Sequence, residues 1–88
     1  MTTTDAQKKA VVALIGSATG DDQKAVDRKI AEIIGPNTTR VYCKETQTDT
    51  SCAGATAYRV KLVITWNDGS QQTVYGNWSC TNPPFPMC

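Results

Sequence analysis

The sequence predicts an α+β domain in which two N-terminal helices pack on one face of a three-stranded antiparallel β-meander. Apolar residues recur at helical spacing as far as Gly35 and at every second position from Thr38 onward. All four cysteines lie after Gly35, in the part of the chain predicted to form strands, which indicates that disulfides brace the sheet. The 88 residues are enough for a single domain, residues 1–88, with one two-layered core.

Two helices are predicted, over about residues 5–18 and 21–34. Their ends carry typical capping residues: Thr4 with Gln7 as a capping box, Asp21 and Asp22 at the second start, and Gly35-Pro36 at the second end. Each helix also has an apolar stripe that can face the sheet: Ala10, Val11, Leu14, Ile15 and Ala18 in the first, and Val26, Ile30, Ile33 and Ile34 in the second.

Three strands and a proline-rich C-terminal strap are predicted, over about residues 38–45, 56–66, 70–80 and 81–88. A three-residue turn with Gly69 in the left-handed position of a bulge pairs Trp66 with Ser70. A two-residue turn would instead direct polar side chains of the third strand toward the core, because a one-residue slip flips every side chain. We therefore expect the first register, with this core face: Tyr58, Val60, Leu62, Ile64, Trp66, Val74 and Trp78.

The even number of cysteines favours disulfides and an oxidising compartment. Zinc is disfavoured because the ligand spacings are too long and the chain has no histidine, so neither a metal nor another cofactor is expected. The first and third strands of a meander lie about 9–10 Å apart, which is too far for Cys43 to bridge Cys80. Two pairings remain open: Cys43–Cys52 with Cys80–Cys88, which we prefer because each closes a local loop, or Cys52–Cys80 with Cys43–Cys88.

Composition restricts the class of partner and the compartment. The net charge of +1 gives no reason to expect nucleic acid or an anionic membrane as the main partner. No apolar run approaches the roughly 18 residues that span a bilayer, so no membrane insertion is expected. The expectation is a monomeric mature domain without its leader, secreted or periplasmic; the alternative is a cytoplasmic phage protein.

The function expected from the sequence is protein binding without catalysis, as an inhibitor or docking protein. Without histidine the chain lacks the usual base near neutral pH, so an enzyme is not expected. A Cys80–Cys88 bridge and three prolines would present three side chains in a rigid loop: Asn82, Phe85 and Met87. If Phe85 is such an exposed anchor, its replacement by alanine should leave the melting temperature unchanged; if it covers the core as a strap, stability should fall.

The polar face of the sheet is a second candidate surface. Arg59, Lys61 and Tyr75 are cross-strand neighbours in the expected register, and their types match interface hot spots. Asn77 is a further cross-strand neighbour of this patch, which could extend over three residues of the first strand: Arg40, Tyr42 and Lys44. The alternatives to an inhibitor are a virion or envelope component that self-associates, or a phage protein that disables a host defence complex.

The segment Gln72-Thr-Val-Tyr-Gly76 resembles the Q-x-V-x-G motif of the cystatins, which inhibit cysteine proteases. In cystatins this motif forms a hairpin tip that precedes both disulfides, whereas here it lies in a predicted strand that follows Cys43 and Cys52. The helix–helix–meander order is also similar to one repeat of the β-lactamase-inhibitor-protein fold, in layout alone. Neither resemblance assigns a functional residue.

Overall fold

The computed structural model describes residues 3–35 and 38–88 and shows two helices followed by a three-stranded sheet. The elements are α1 (Asp5–Gly16), α2 (Gln23–Ile34), β1 (Thr39–Thr48), β2 (Thr56–Thr65) and β3 (Gln71–Tyr75), with a short 3₁₀ turn over Ala53–Ala55. The strand order is β1-β2-β3 and both pairings are antiparallel, which confirms the predicted α+β meander.

The helix ends follow from their capping residues. Thr4 and Gln7 form the complete capping box at the start of α1. Asp22 is the N-cap of α2, and its carboxylate accepts a hydrogen bond of 2.7 Å from the Ala25 N–H. Gly35 ends α2 with a φ of 74°, while the proposed stop at Pro36 lies outside the described residues.

The turn between β2 and β3 fixes the register of the sheet. Gly69 has a φ of 87°, and the Trp66 N–H donates to the Ser70 carbonyl over 2.8 Å. Leu62 then lies opposite Val74, so the predicted three-residue turn and its register are confirmed. One face of the sheet consequently carries the apolar side chains that meet the helices.

The core forms where α1 and α2 cover this apolar face. Residues from both helices, all three strands and the C-terminal tail are buried together: Val11, Ile15, Ala18, Val26, Ile30, Tyr42, Val60, Leu62, Ile64, Trp66, Val74 and Phe85. Two side chains differ from the predicted apolar faces, because Ala10 and Trp78 are exposed.

The disulfides are Cys43–Cys88 and Cys52–Cys80, so the preferred local pairing, Cys43–Cys52 with Cys80–Cys88, was wrong and its alternative is observed. The pairing is decided by the course of the chain after β3. This segment continues alongside the beginning of β2, where Ser79 and Tyr58 exchange backbone hydrogen bonds of 2.7 and 2.8 Å. Cys80 therefore meets Cys52 in the β1–β2 loop, with Cα atoms 5.3 Å apart.

The C-terminal tail, residues 81–88, then crosses to the outer edge of β1. The Lys44 N–H donates to the Pro86 carbonyl over 2.7 Å, and the Cys88 N–H donates to the Lys44 carbonyl over 3.0 Å. On the way Phe85 enters the core, where it is 5% exposed. The tail is therefore a strap that both disulfides hold at its ends, and Phe85 is not an exposed anchor.

Candidate functional site

The helices cover only one face of the sheet, and the other face is the candidate site. Because side chains alternate along a strand, the register assigns one set of residues to this uncovered face. We call it the open face: Val41, Cys43, Glu45, Arg59, Lys61, Val63, Thr73, Tyr75 and Trp78. Its most exposed apolar side chains are Val41 at 59%, Tyr75 at 44% and Trp78 at 37%.

Trp78 reaches the open face because the pairing of β2 shifts by one residue after β3. Gly76 bonds to Val60, as the register predicts, but Tyr58 pairs with Ser79 instead of Trp78. Two residues, Asn77 and Trp78, therefore oppose one on β2, which is the arrangement of a β-bulge. The prediction that Trp78 belongs to the core face was wrong for this reason.

Arg59 forms the centre of the open face by lying over two aromatic rings. Its guanidinium carbon is 4.0 Å from the centroid of Tyr75 and 4.6 Å from that of Trp78. These distances are those of cation–π contacts, which are stronger where water is partly excluded. We call Arg59, Tyr75, Trp78 and Glu45 the Arg59 cluster.

Glu45 fixes the guanidinium from the neighbouring strand. The register places Glu45 directly opposite Arg59, and one carboxylate oxygen accepts from Nε at 2.8 Å and lies 2.7 Å from a terminal nitrogen. Both side chains are partly buried, with 26% and 30% of their surface exposed. Arg59 is therefore held in one orientation by two rings and by an ion pair with the Glu45 carboxylate.

Lys61 supplies an additional positive charge beside the Arg59 cluster. It lies between Cys43 and Tyr75 in the cross-strand row, and its Nζ is 5.9 Å from the Tyr75 centroid. In the described part of the chain, Lys61 belongs to neither of the two ion pairs. The adjacent Cys43–Cys88 disulfide ties this row to the end of the tail.

The structure brings together three of the predicted site residues, Arg59, Lys61 and Tyr75, but not those of the tail. Asn82 accepts a hydrogen bond of 2.6 Å from Lys44 Nζ, and Phe85 is buried. Met87 is 59% exposed, but it pairs with Lys44, whose side chain lies on the helix-covered side of the sheet. The tail residues therefore do not form a common surface with Tyr75.

Three residues proposed to extend the polar patch, Arg40, Tyr42 and Lys44, lie on the helix-covered side instead. They occupy even positions of β1, opposite the core residues of β2. Arg40 and Tyr42 bind Asp27 of α2, whose Oδ1 accepts from Arg40 Nε and from the Tyr42 hydroxyl, each at 2.6 Å. The proposed extension was wrong because the even-numbered residues of β1 face the helices and the odd-numbered residues face the open side.

Asn77, also predicted for the polar patch, is exposed at the bulge. Its N–H points to the Gly16 carbonyl oxygen at 3.4 Å.

The contacts of Asp27 shift its own pKa and that of Tyr42. The hydrogen bond from Arg40 is the largest cause that lowers the pKa of Asp27, and the Tyr42 hydroxyl adds to it. Burial raises the pKa of Tyr42, and its hydrogen bond to Asp27 raises it further. Both groups keep one charge state near neutrality, so this network serves to join α2 to β1.

Sequence reasoning missed Glu45 and Trp78 as members of the site. The opposite charges of Glu45 and Arg59 were the available signal for Glu45. They could not be used to pair the two residues, because the loop between β1 and β2 is too long to fix the register of these strands. The signal for Trp78 was Gly76, since glycine within a strand often marks a bulge or a close approach of backbone.

The described residues contain no group of three or more histidine, cysteine, aspartate or glutamate side chains that could hold a metal ion. Among them, no helix is long and apolar enough to cross a membrane. No protein-family model matches the chain, and no curated protein or solved structure is significantly similar to it.

Proposed function

We propose that this chain is a small protein-binding domain, without catalytic activity of its own, that docks onto another protein through the open face of its sheet. One observation carries the proposal. Arg59 lies over Tyr75 and Trp78, yet both rings remain 44% and 37% exposed. Tyrosine, tryptophan and arginine are the residue types that dominate binding energy at protein interfaces.

Preorganisation supports this role. Tyr75 lies at the end of β3 and Trp78 in the bulge that follows it, and the Glu45 ion pair fixes Arg59. Two disulfides hold the chain around them, one from β1 to the tail and one from the β1–β2 loop to the segment after β3. Side chains that are already ordered lose little conformational entropy when a partner binds. The Arg59 cluster can therefore contribute more to affinity than mobile surface residues of the same type.

The chemistry of the open face indicates the kind of partner surface that fits it. Val41, Tyr75 and Trp78 present apolar area, while Lys61 contributes a positive charge at the side of the cluster. A complementary partner would offer an apolar patch bordered by a carboxylate, which would pair with Lys61. We propose a role as an inhibitor or docking protein that covers such a patch.

The two disulfides suggest an oxidising setting. A secreted or periplasmic protein fits that setting, and we propose this compartment for the chain. An exposed binding face braced by covalent links is a common solution for small domains outside the cytoplasm, where a core of this size needs additional stabilisation.

The test compares partner capture by the unchanged chain and by Tyr75→Ala and Trp78→Ala. The immobilised proteins are exposed to extracellular material from the source organism and its surroundings, and bound proteins are identified by mass spectrometry. The matched control is Met87→Ala, which removes a more exposed apolar side chain outside the open face. We expect the control to retain the same partner and each ring variant to lose at least about tenfold in affinity, since an interface hot spot contributes 2 kcal/mol or more.

Thermal unfolding of each variant accompanies the capture. Because both rings are partly exposed, their melting temperatures should stay close to that of the unchanged chain. A partner that all the variants bind equally well would overturn the assignment of the open face. A partner lost only from Met87→Ala would move the site to the tail.

A further inference from the structure

The outer edge of β3 has backbone groups that no other strand covers. The Gly76 N–H donates to the Val60 carbonyl, and the Trp66 N–H donates to the Ser70 carbonyl. Bonding therefore uses the even residues of β3, and the N–H and C=O groups of Gln71, Thr73 and Tyr75 point away from β2. In the described chain, β3 pairs with β2 alone.

The edge of β3 is short, and a bulge follows it at Asn77 and Trp78, but within the strand itself three common protective features are missing. Strand β3 reads Gln-Gln-Thr-Val-Tyr, without a charge, a proline or a bulge. The opposite edge of the sheet is different, because the tail pairs with Lys44 in the middle of β1. Prolines at three positions of the tail deprive it of donors that could continue the sheet. The sheet thus has one open edge and one obstructed edge.

An exposed apolar residue of α1 lies on the same flank as the open edge. Leu14 packs against the core and Gln7 Nε2 bonds to the Ile33 carbonyl, so these two side chains mark the side of α1 that faces α2. Successive residues turn by about 100° around a helix, which places Val12 on the side away from α2. Val12 is 39% exposed.

Val12 also lies level with the middle of β3. At one end of α1, Lys8 Nζ is 5.3 Å from the ring of Trp66, which pairs with Ser70. At the other end, the backbone of Ile15 is in close contact with Gly76. Val12 lies near the middle of the segment between Lys8 and Ile15, and Thr73 is midway between Ser70 and Gly76.

We infer that the β3 edge binds a second copy of this chain, forming a twofold dimer with a continuous six-stranded sheet. Antiparallel pairing about Thr73 places Gln71 opposite Tyr75 of the partner subunit, and every outward backbone group then finds a complement. The same axis brings the two α1 helices side by side at Val12. Their positive side chains do not oppose each other, since Lys8 falls opposite the small residue Gly16.

The assembly closes at two subunits. A strand added to the open edge uses it completely, and the obstructed edge of β1 cannot extend the sheet further. The dimer therefore differs from the monomer that composition suggested, and it places two copies of the open face side by side on one surface. This inference stands independently of the proposed function, because it uses the backbone edge of β3 and the surface of α1, not the side chains of the Arg59 cluster.

The test is the mass of the chain in solution, measured by sedimentation equilibrium over a dilution series up to about 1 mM, so that a dimer with a dissociation constant in the millimolar range is still detected. We expect a species of twice 9.5 kDa that dissociates on dilution. Val12→Lys should raise the dissociation constant at least about tenfold, because it places like charges on the axis. The matched control, Val41→Lys, puts the same charge on the open face and should leave dimerisation unchanged.

Two further measurements test the outward backbone groups of β3 directly. Thr73→Pro removes an outward N–H without touching the β2–β3 ladder, and should give a folded monomer by circular dichroism. The amides of Gln71, Thr73 and Tyr75 should exchange slowly at high concentration and rapidly on dilution. A chain that stays monomeric throughout the series overturns the inference, as does a dimer unaffected by Val12→Lys and Thr73→Pro. Loss of the dimer in Val41→Lys would assign the contact to the open face instead.

Discussion

Phe85 packs against Tyr42 in the core, with ring centroids 6.0 Å apart and planes tilted by 58°. The contact joins a residue three positions before Cys88 to the first strand of the sheet. The tail is consequently part of the hydrophobic core, and the disulfides at its two ends fix a segment that also packs. The tail therefore stabilises the fold in two ways, through the buried side chain of Phe85 and through the disulfides at its ends.

Replacing Phe85 with alanine should destabilise the protein by about 3–5 kcal/mol, because a buried aromatic side chain leaves a cavity that the neighbours fill only in part. Chemical denaturation with far-UV circular dichroism measures the loss. Met87→Ala is the matched control, since its side chain is 59% exposed and its removal should change stability by less than about 0.5 kcal/mol. Equal effects of the two substitutions would contradict the burial of Phe85.

Gly76 should not tolerate alanine. A Cβ at this position would come within 2.9 Å of the Ile15 carbonyl oxygen and 3.4 Å of the Val60 nitrogen, both backbone atoms. We expect Gly76→Ala to cost about 1–3 kcal/mol of unfolding free energy, as overpacking usually does. Gly16→Ala is the control, because nothing lies within 4 Å of its added Cβ. An unchanged melting temperature in Gly76→Ala would show that α1 and β3 are not in close contact.

The disulfide pairing can be read from a tryptic digest under non-reducing conditions. Trypsin cleaves after lysine and arginine, and it places the cysteines on three peptides: 41–44, 45–59 and 62–88. The observed pairing joins all three into one species, whereas local pairing would release 62–88 with an internal disulfide. Cleavage after Met87 then isolates Cys88, which should remain attached to peptide 41–44 alone.

Removing either disulfide should destabilise the chain by roughly 3–4 kcal/mol, since the linked residues are 45 and 28 positions apart and long loops are costly to close. Paired cysteine-to-serine variants measure this by denaturant unfolding. Loss of Cys43–Cys88 should in addition free the end of the tail, so the amides of Lys44 and Cys88 should exchange faster. Protection unchanged in that variant would count against the strap.

Acid should weaken the junction of α2 and β1. Because Arg40 and Tyr42 lower the pKa of Asp27 in the folded chain, its contribution to stability is complete above the unfolded carboxyl value of about 4 and is lost as pH falls through the folded value. Asp27→Asn should therefore reduce the loss of unfolding free energy between about pH 5 and pH 2. Glu32→Gln, on an exposed position of the same helix, is the control and should leave that loss unchanged.

The fold was predictable where the signals are local. The capping box at Thr4, the helical spacing of apolar residues and the turn at Gly69 each involve residues a few positions apart, so their geometry depends on short stretches of sequence. The register of β2 and β3 followed because a short turn transmits its geometry directly to both strands. From that register alone, Arg59, Lys61 and Tyr75 were predicted to be neighbours, as the structure shows.

The remaining features depend on contacts between distant segments. The sequence by itself determined the helices and the meander, because periodicity and turn chemistry act locally, and its even number of cysteines indicated disulfides. Only the tertiary structure decided which cysteines meet, that Phe85 is buried and that Trp78 joins Arg59 on the open face. Each of these results from the path of the chain after β3, where the contact of Gly76 with α1, the bulge and the crossing of the tail are settled by packing.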